Sequence, residues 1–305
     1  MSAATLTFLS DTLVRILVFL SLIIVLDLKY GFTDIPNFGI TGFFALGAYT
    51  TAVLTATDPQ YGIGLGLPWW SGWLVSVVVV AAAGALLSLA TLRVDELYLG
   101  LVTFAFAEIV LVIIRNLQPI TGGSLGLIGI DPLLPGADPF LRAIFYLAAA
   151  LVLVALLAAG WYRIATSPLG RVLQAIRVDE LVAKTSGKHT LVFKIKIFTL
   201  GSAAIGLVGG FWATYNGGIV PNMFELQILL LIWIGMILGG NRRLSGLVVG
   251  AFVIFSLRIG TRFVSVPFIT ETQFASLRGV AIGLMLILII LYRPQGLLGN
   301  SKEIL

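Results

Sequence analysis

Tyr162–Lys196 reads YRIATSPLGRVLQAIRVDELVAKTSGKHTLVFKIK, the one long polar segment in a chain that is otherwise apolar. It carries Arg163, Arg171, Arg177, Lys184, Lys188, Lys194 and Lys196 against only Asp179 and Glu180, and long apolar runs flank it on both sides. Basic loops between membrane crossings stay on the cytoplasmic face, so this segment is expected inside and the rest of the topology is counted from it.

Its internal pattern predicts two short helices. Ser167 followed by Pro168 is a helix start: the serine oxygen accepts an orphan amide, and proline fills the first turn without losing a needed N–H. Leu169, Val172, Leu173 and Ile176 then fall on one helical face, with Arg171, Gln174 and Arg177 on another. Asp179 is placed to cap a second helix through Leu181, Val182 and Ala183, and Gly187 supplies the left-handed residue that closes it. Such a pair either lies at the lipid headgroups or docks a soluble partner.

Composition sets the solvent. Of 305 residues 59% are hydrophobic and 11% charged, and the mean hydropathy is +1.06. Soluble chains carry roughly a quarter charged residues, so this one is solvated mainly by lipid. The net charge of +5 is therefore a matter of membrane orientation and not a nucleic-acid signal. Cysteine is absent, which excludes disulfides and thiolate chemistry, and His189 is the single histidine. With no second histidine to share an ion, no metal site is expected.

Taken in order, the apolar runs are Leu13–Leu28, Ile40–Ala56, Trp73–Leu92, Leu97–Ile114, Ala143–Tyr162, Ile197–Thr214, Leu226–Leu238, Leu244–Ile259 and Arg278–Leu291. The first has no basic residue before Arg15 and no small-residue cleavage site after it, so it reads as a retained span. The fold class expected is all-α, a polytopic membrane protein of about nine transmembrane helices. Lys29, Arg93, Arg242, Arg243, Arg293 and Lys302 then share the side of the basic loop, the N-terminus lies outside and the C-terminus in the cytoplasm. Small residues crowd two spans, Gly42, Ala45, Gly47 and Ala48 in one and Gly201, Ser202, Ala203, Gly206, Gly209 and Gly210 in the other, where backbones are expected to approach closely. Arg115 to Arg142 reads as a long loop. Glu108 lies deep in its span; a carboxylate there costs roughly 2.5–3.5 kcal/mol on insertion scales, which the apolar neighbours outweigh, so it should face protein or water.

Enzyme motifs fail on context. Gly122–Gly126, GGSLG, has the letters of a nucleophile elbow, but the single histidine is expected across the membrane. GIGLG at Gly62–Gly66 lacks the strand, helix and acidic partner of a dinucleotide site, and Gly187–Lys188 lacks the leading glycine and following hydroxyl of a Walker A loop. Transport or anchoring remains. A pure anchor needs neither a deep glutamate nor broken helices, and a self-contained ion-driven carrier usually shows several paired intramembrane charges.

NFGITGFFALGAYTTAVL (Asn37–Leu54), LYLGLVTFAFAEIVLVIIRNLQPITGGSLGL (Leu97–Leu127), SPLGRVLQAIRVDELVAKTSG (Ser167–Gly187) and RPQGLLG (Arg293–Gly299) resemble, in this order, signatures of ABC-importer permeases of the branched-chain amino acid type, M-type subunit. The resemblance covers nearly the whole chain. It implies a type II-like importer fold over 1–305 as a single transmembrane permease domain in the plasma (inner) membrane, with 163–196 as a cytoplasmic coupling loop. It also implies a heterodimer with a sister permease, two cytoplasmic ATPase subunits, an extracytoplasmic solute-binding protein, and no cofactor or catalytic residue in this chain.

Glu180, Ala183 and Gly187 resemble an E-A-A-x3-G coupling motif, whose helices sit in a groove of the ATPase; Arg171, Arg177 and Asp179 lie beside them. Asn37, Glu108, Asn116, Thr121, Gly122 and Gly123 fall in matched blocks, where they would line the pathway or hold helices together. After Leu238–Gly239–Gly240 the family usually has a glycine–serine sequence, whereas this chain has Asn241, Arg242 and Arg243, so a different local turn is expected. The cargo implied is branched-chain or other hydrophobic amino acids. Urea or short amides are the alternative cargo, and a self-contained secondary carrier or channel is the alternative of another class.

Overall fold

Helix α1 (Ala3–Thr33) is the axis of the bundle. Its most apolar window is 72% buried, against 28% in α3 (Trp69–Thr91) and in α6 (Pro139–Thr166). The computed structural model describes residues 3–92 and 96–260, with 279–280, 283–284, 287–288, 291–292 and 296–298. The expected last span Arg278–Leu291 and the link at 93–95 lie largely outside the described residues.

Between and after these helices run α2 (Ile40–Thr55), α4 (Glu96–Asn116), α5 (Gln118–Thr121), α7 (Pro168–Val178), α8 (Glu180–Thr185), α9 (Thr190–Asn216), α10 (Leu226–Gly239) and α11 (Leu244–Gly260). The fold is all-α apart from one two-residue strand pair, and six helices among the described residues are long and apolar enough to cross a membrane. Two more, α2 and α11, are apolar but shorter. Every expected span within the described residues is helical. The outward faces of α3 and α6 carry Leu74, Val78, Leu86 and Leu89, and Leu151, Val152 and Leu156. A contiguous apolar surface of that kind suits lipid and not water.

On the side of the basic loop, α1 and α9 outrun their expected ends by five and seven residues, for one reason. The sequence marks a span's end where charge appears, but these charges are partnered inside the protein. Helix α1 continues past Asp27 and Lys29, both fully buried, to Thr33, because Trp161 donates to Asp27 and Lys29 Nζ donates to Ser202 Oγ at 2.9 Å. Helix α9 starts at Thr190, seven residues before the expected Ile197, because Lys194 is paired with Glu180 at 2.7 Å.

The two small-residue segments meet each other, a pairing that the sequence did not specify. Helix α9 packs against both α2 and α3, and Gly206 sits between their backbones. A Cβ there would lie 2.7 Å from the Ser76 carbonyl oxygen, while one on Gly47 would lie 2.8 Å from the Gly206 carbonyl oxygen. Ser76 Oγ also donates to that carbonyl at 3.1 Å. Close approach of this kind replaces the hydrophobic driving force that helices lack in lipid.

At the end of the bundle away from the basic helices, the stretch after α4 is a built cap and not the open loop that Arg115–Arg142 suggested. Strand β1 (Leu127–Ile128) pairs antiparallel with β2 (Gly218–Ile219), and Ala56 bridges Ile130. Tyr146 Oη accepts from the Leu133 amide at 3.0 Å and donates to the Thr214 carbonyl at 2.6 Å. Arg115 joins Glu225 at 2.9 Å.

Candidate functional site

The basic segment folds as a helix, a cap and a second, shorter helix at one end of the bundle. Ser167 Oγ accepts from the Gly170 amide at 3.2 Å and opens α7. Leu173 and Ile176 are buried on its inner side while Arg171 stays exposed, so the amphipathic face packs on protein and not on headgroups. Asp179 Oδ1 accepts from the Val182 amide at 3.0 Å and opens α8. Gly187 closes it at φ 78°.

Glu180, Ala183 and Arg177 each have an inward task. Glu180 accepts from Lys194 Nζ at 2.7 Å and Thr190 Oγ1 at 2.8 Å, and pairs with Lys184 at 3.1 Å. Partial burial pushes its carboxyl up, but the hydrogen bonds from Lys194, Thr190 and Lys184 outweigh that and hold it down at about 2. The clamp pins α8 to the first turn of α9. Ala183, 5% exposed, fills the contact beneath. Arg177 donates through Nη1 to the Gly31 carbonyl at 2.6 Å and through Nε to Asp34 Oδ2 at 3.0 Å, so α7 is tied to the end of α1.

Three apolar side chains stand out among the charged residues on the outer surface of the helix pair. Val178 is 87% exposed, Leu181 70% and Val182 58%. Beside them a groove of about 660 Å³ runs between α7 and α8, with Arg171, Val172, Val178, Val182 and Lys188 in its walls. Arg171, Asp179 and the largely covered Ala183 thus line it, while Arg177 and Glu180 do not face it. The signal for the exposed residues was present in the sequence: Leu181 and Val182 lie on a helix of six residues, too short to bury them all round.

Behind the helices, the end of α1 is fixed to two further elements. Asp27 accepts from Trp161 Nε1 at 2.7 Å and from the Arg242 amide at 2.9 Å. The latter bond settles the unusual turn after Gly240, where Arg242 adopts φ 65°. Leu297 donates to the Leu238 carbonyl at 2.8 Å, and Arg243 to the Leu298 carbonyl at 3.0 Å, so the tail lies against the same turn.

The residues expected along a pathway are not gathered in one place. Asn37 is fully buried in the break between α1 and α2, where its Oδ1 accepts from the Gly39 amide at 3.1 Å and its Nδ2 has no partner. The neighbouring Phe38 amide donates to Thr103 Oγ1 of α4 at 3.1 Å. From Thr103 to Asn116 is about 20 Å of helix at 1.5 Å per residue. Asn116 caps its own helix through Val112 at 2.8 Å. Thr121 Oγ1 donates to Ile114 and Leu117 and accepts from the Gly123 amide, and Gly122 and Gly123 have φ of 73° and 61°. These four hold the cap together. Ser124 of the GGSLG run sits there in a one-turn 3-10 helix, not on a strand-to-helix elbow. Glu108 is half-buried on a stripe of α4 with Leu101, Ala105 and Val112, all exposed.

The sequence profile of a family described as branched-chain amino acid transport system / permease component matches residues 8–290. The chain is 29% identical over 300 residues to the high-affinity branched-chain amino acid transport system permease protein LivM of Escherichia coli (strain K12), covering 91% of this chain and 67% of that protein. The LivM protein of Salmonella typhimurium matches to the same extent. A probable branched-chain amino acid transport permease protein LivM of Methanocaldococcus jannaschii is 25% identical over 318 residues, covering 92% of this chain and 90% of that protein. No solved structure matches the chain.

Proposed function

Because the chain belongs to the branched-chain amino acid transport system permease component family, we propose that it is the membrane-spanning subunit of an ATP-driven importer of branched-chain or other hydrophobic amino acids. ATP is hydrolysed by partner subunits that dock on α7 and α8. The observation that carries this reading is the exposed apolar patch of Val178, at the end of α7, with Leu181 and Val182 on α8, the helix that Glu180 clamps from behind. A rigid apolar knob on the aqueous side is what a partner's groove takes up. The motif residues then act as scaffold: Glu180 and Ala183 fix α8, and Arg177 carries its displacement into α1. A coupling element has to make different contacts in the two states of the transporter, and an outward knob on an inward tether does so.

The same reading takes the whole chain as one permease domain in the inner membrane. Nine crossings are supported by the tail. Helix α11 starts at the turn that Leu297 touches, and its far part stacks Phe255 on Phe19 near Arg15, at the other end of the bundle. Reaching Leu297 from there takes one more crossing, and the described residues between 279 and 292 are helical. The basic end is then cytoplasmic and the N-terminus outside. Glu108 supports a sister permease over α4, since a carboxylate on an otherwise apolar outward stripe belongs against protein or a water-filled path. A solute-binding protein would deliver cargo at the opposite end.

The test is uptake of labelled leucine into proteoliposomes holding this chain with its sister permease, ATPases and binding protein. ATP-dependent uptake supports the reading, whereas uptake by this chain alone under an ion gradient contradicts it.

A further inference from the structure

We propose that the crevice at the end of the bundle opposite the coupling helices is a binding site for the zwitterion of an apolar α-amino acid, held by this chain alone. The proposal rests on the transport reading for the ligand's class. The crevice has a volume of about 280 Å³ and is walled by α1, α9, α11 and the segment leading into α10. That is just below the range of about 300–1,000 Å³ usual for drug-sized ligands, which suits a small one.

Its chemistry divides into three parts. The apolar part is aromatic: Phe19 and Phe255 stack with centroids 4.0 Å apart, and Trp212 lies 5.9 Å from Phe19. The second part offers donors to an anion. Arg15 sits with its guanidinium 5.7 Å from the Trp212 ring centre, and Trp212, 5% exposed, has an Nε1–H with no acceptor in the protein. A guanidinium on the wall is what a carboxylate takes. The third part is Glu225, half-exposed, whose Oε1 already holds Arg115 at 2.9 Å. Its carboxylate gives the crevice a negative group that an ammonium would use and a simple anion would not. Carboxylate, ammonium and apolar side chain therefore each have a counterpart. A zwitterionic lipid headgroup shares the charged part of this chemistry, and the experiment separates it.

The experiment is equilibrium binding of tritiated leucine to the whole transporter, without binding protein, in phosphatidylcholine nanodiscs. Competitors are 4-methylpentanoate, which lacks the ammonium, and 3-methylbutylamine, which lacks the carboxylate. The expected result is saturable leucine binding, with each competitor weaker than unlabelled leucine by about tenfold or more, as loss of a charge-assisted contact implies. Arg15→Gln and the rim plug Asn222→Trp, each checked for co-purification with the partner subunits, weaken binding by a similar factor. The site is overturned by leucine binding that neither variant changes, by single-charge competitors as good as leucine, or by loss of leucine binding when phosphatidylethanolamine is added to the nanodiscs. Uptake measured on the same wild-type preparation separates the two claims: ATP-driven uptake without saturable binding overturns the site alone, and absence of both overturns the transport reading with it.

Discussion

Arg177 of α7 and Asp34, just beyond the end of α1, form an ion pair at 3.0 Å, and the same guanidinium donates to the Gly31 carbonyl at 2.6 Å. Sequence reading set Arg177 on the polar face of the helix with Arg171 and Gln174, beside the coupling motif. In the structure it ties α7 to the end of α1.

Arg177→Gln is therefore expected to uncouple the transporter. ATP hydrolysis by the assembled complex persists while ATP-driven leucine uptake falls about fivefold or more, the size of a typical coupling energy. Parallel phosphate-release and uptake assays check it, and equal loss of both contradicts the tether.

Asp27 is the second joint. Asp27→Ala leaves the Trp161 indole N–H and the Arg242 amide without their acceptor, at a cost of about 1–3 kcal/mol for each unsatisfied buried group. Thermal unfolding of the detergent-solubilised protein should shift down clearly, and less for Asp27→Asn, whose amide oxygen still accepts one bond. An unchanged transition in Asp27→Ala would count against this joint.

The Glu180 clamp gives a pH dependence. Its carboxyl is held at about 2 against an ordinary value of 4.5, so it binds fewer protons when folded than when unfolded. The stabilisation is thus fully present above pH 4.5 and is lost as pH falls towards 2. Hydrogen exchange of the α8 amides should stay protected at pH 4.5 and rise, after correction for intrinsic rates, only near pH 2. In Glu180→Gln that step is absent.

Gly206→Val and Gly160→Ala should differ in sign. The first drives a branched side chain into the Ser76 backbone and Val80 and is expected to reduce folded protein severely. The second faces open space on an exposed part of α6 and gains about 0.5–1 kcal/mol of helix stability. Expression and thermal unfolding compare the two.

Much of the architecture could be read from local pattern. The caps at Ser167 and Asp179, the helix-closing Gly187 and the small-residue stripe within each of α2 and α9 all follow from residues within a few turns of each other, though not that the two stripes meet. Contacts across the chain could not. Trp161 is 134 residues from Asp27, and Arg242 is 215 away, so nothing near Asp27 told that its charge would be buried and the helix continue. The direction each side of α8 faces was hidden for a related reason. Ala183 and Leu181 are both apolar, and only the packing of α8 on α9 decides that the first is covered and the second exposed.

The central claim is that Leu181 and its neighbours are the surface on which the ATPase acts. The chain has no cysteine, so a benzophenone maleimide attached to Leu181→Cys in the assembled complex reports on one position. The account predicts a photo-crosslink from this residue to an ATPase subunit, with a yield that changes when ATP is added. A transport-competent complex in which the label reaches only lipid or this chain itself, with and without ATP, would contradict it.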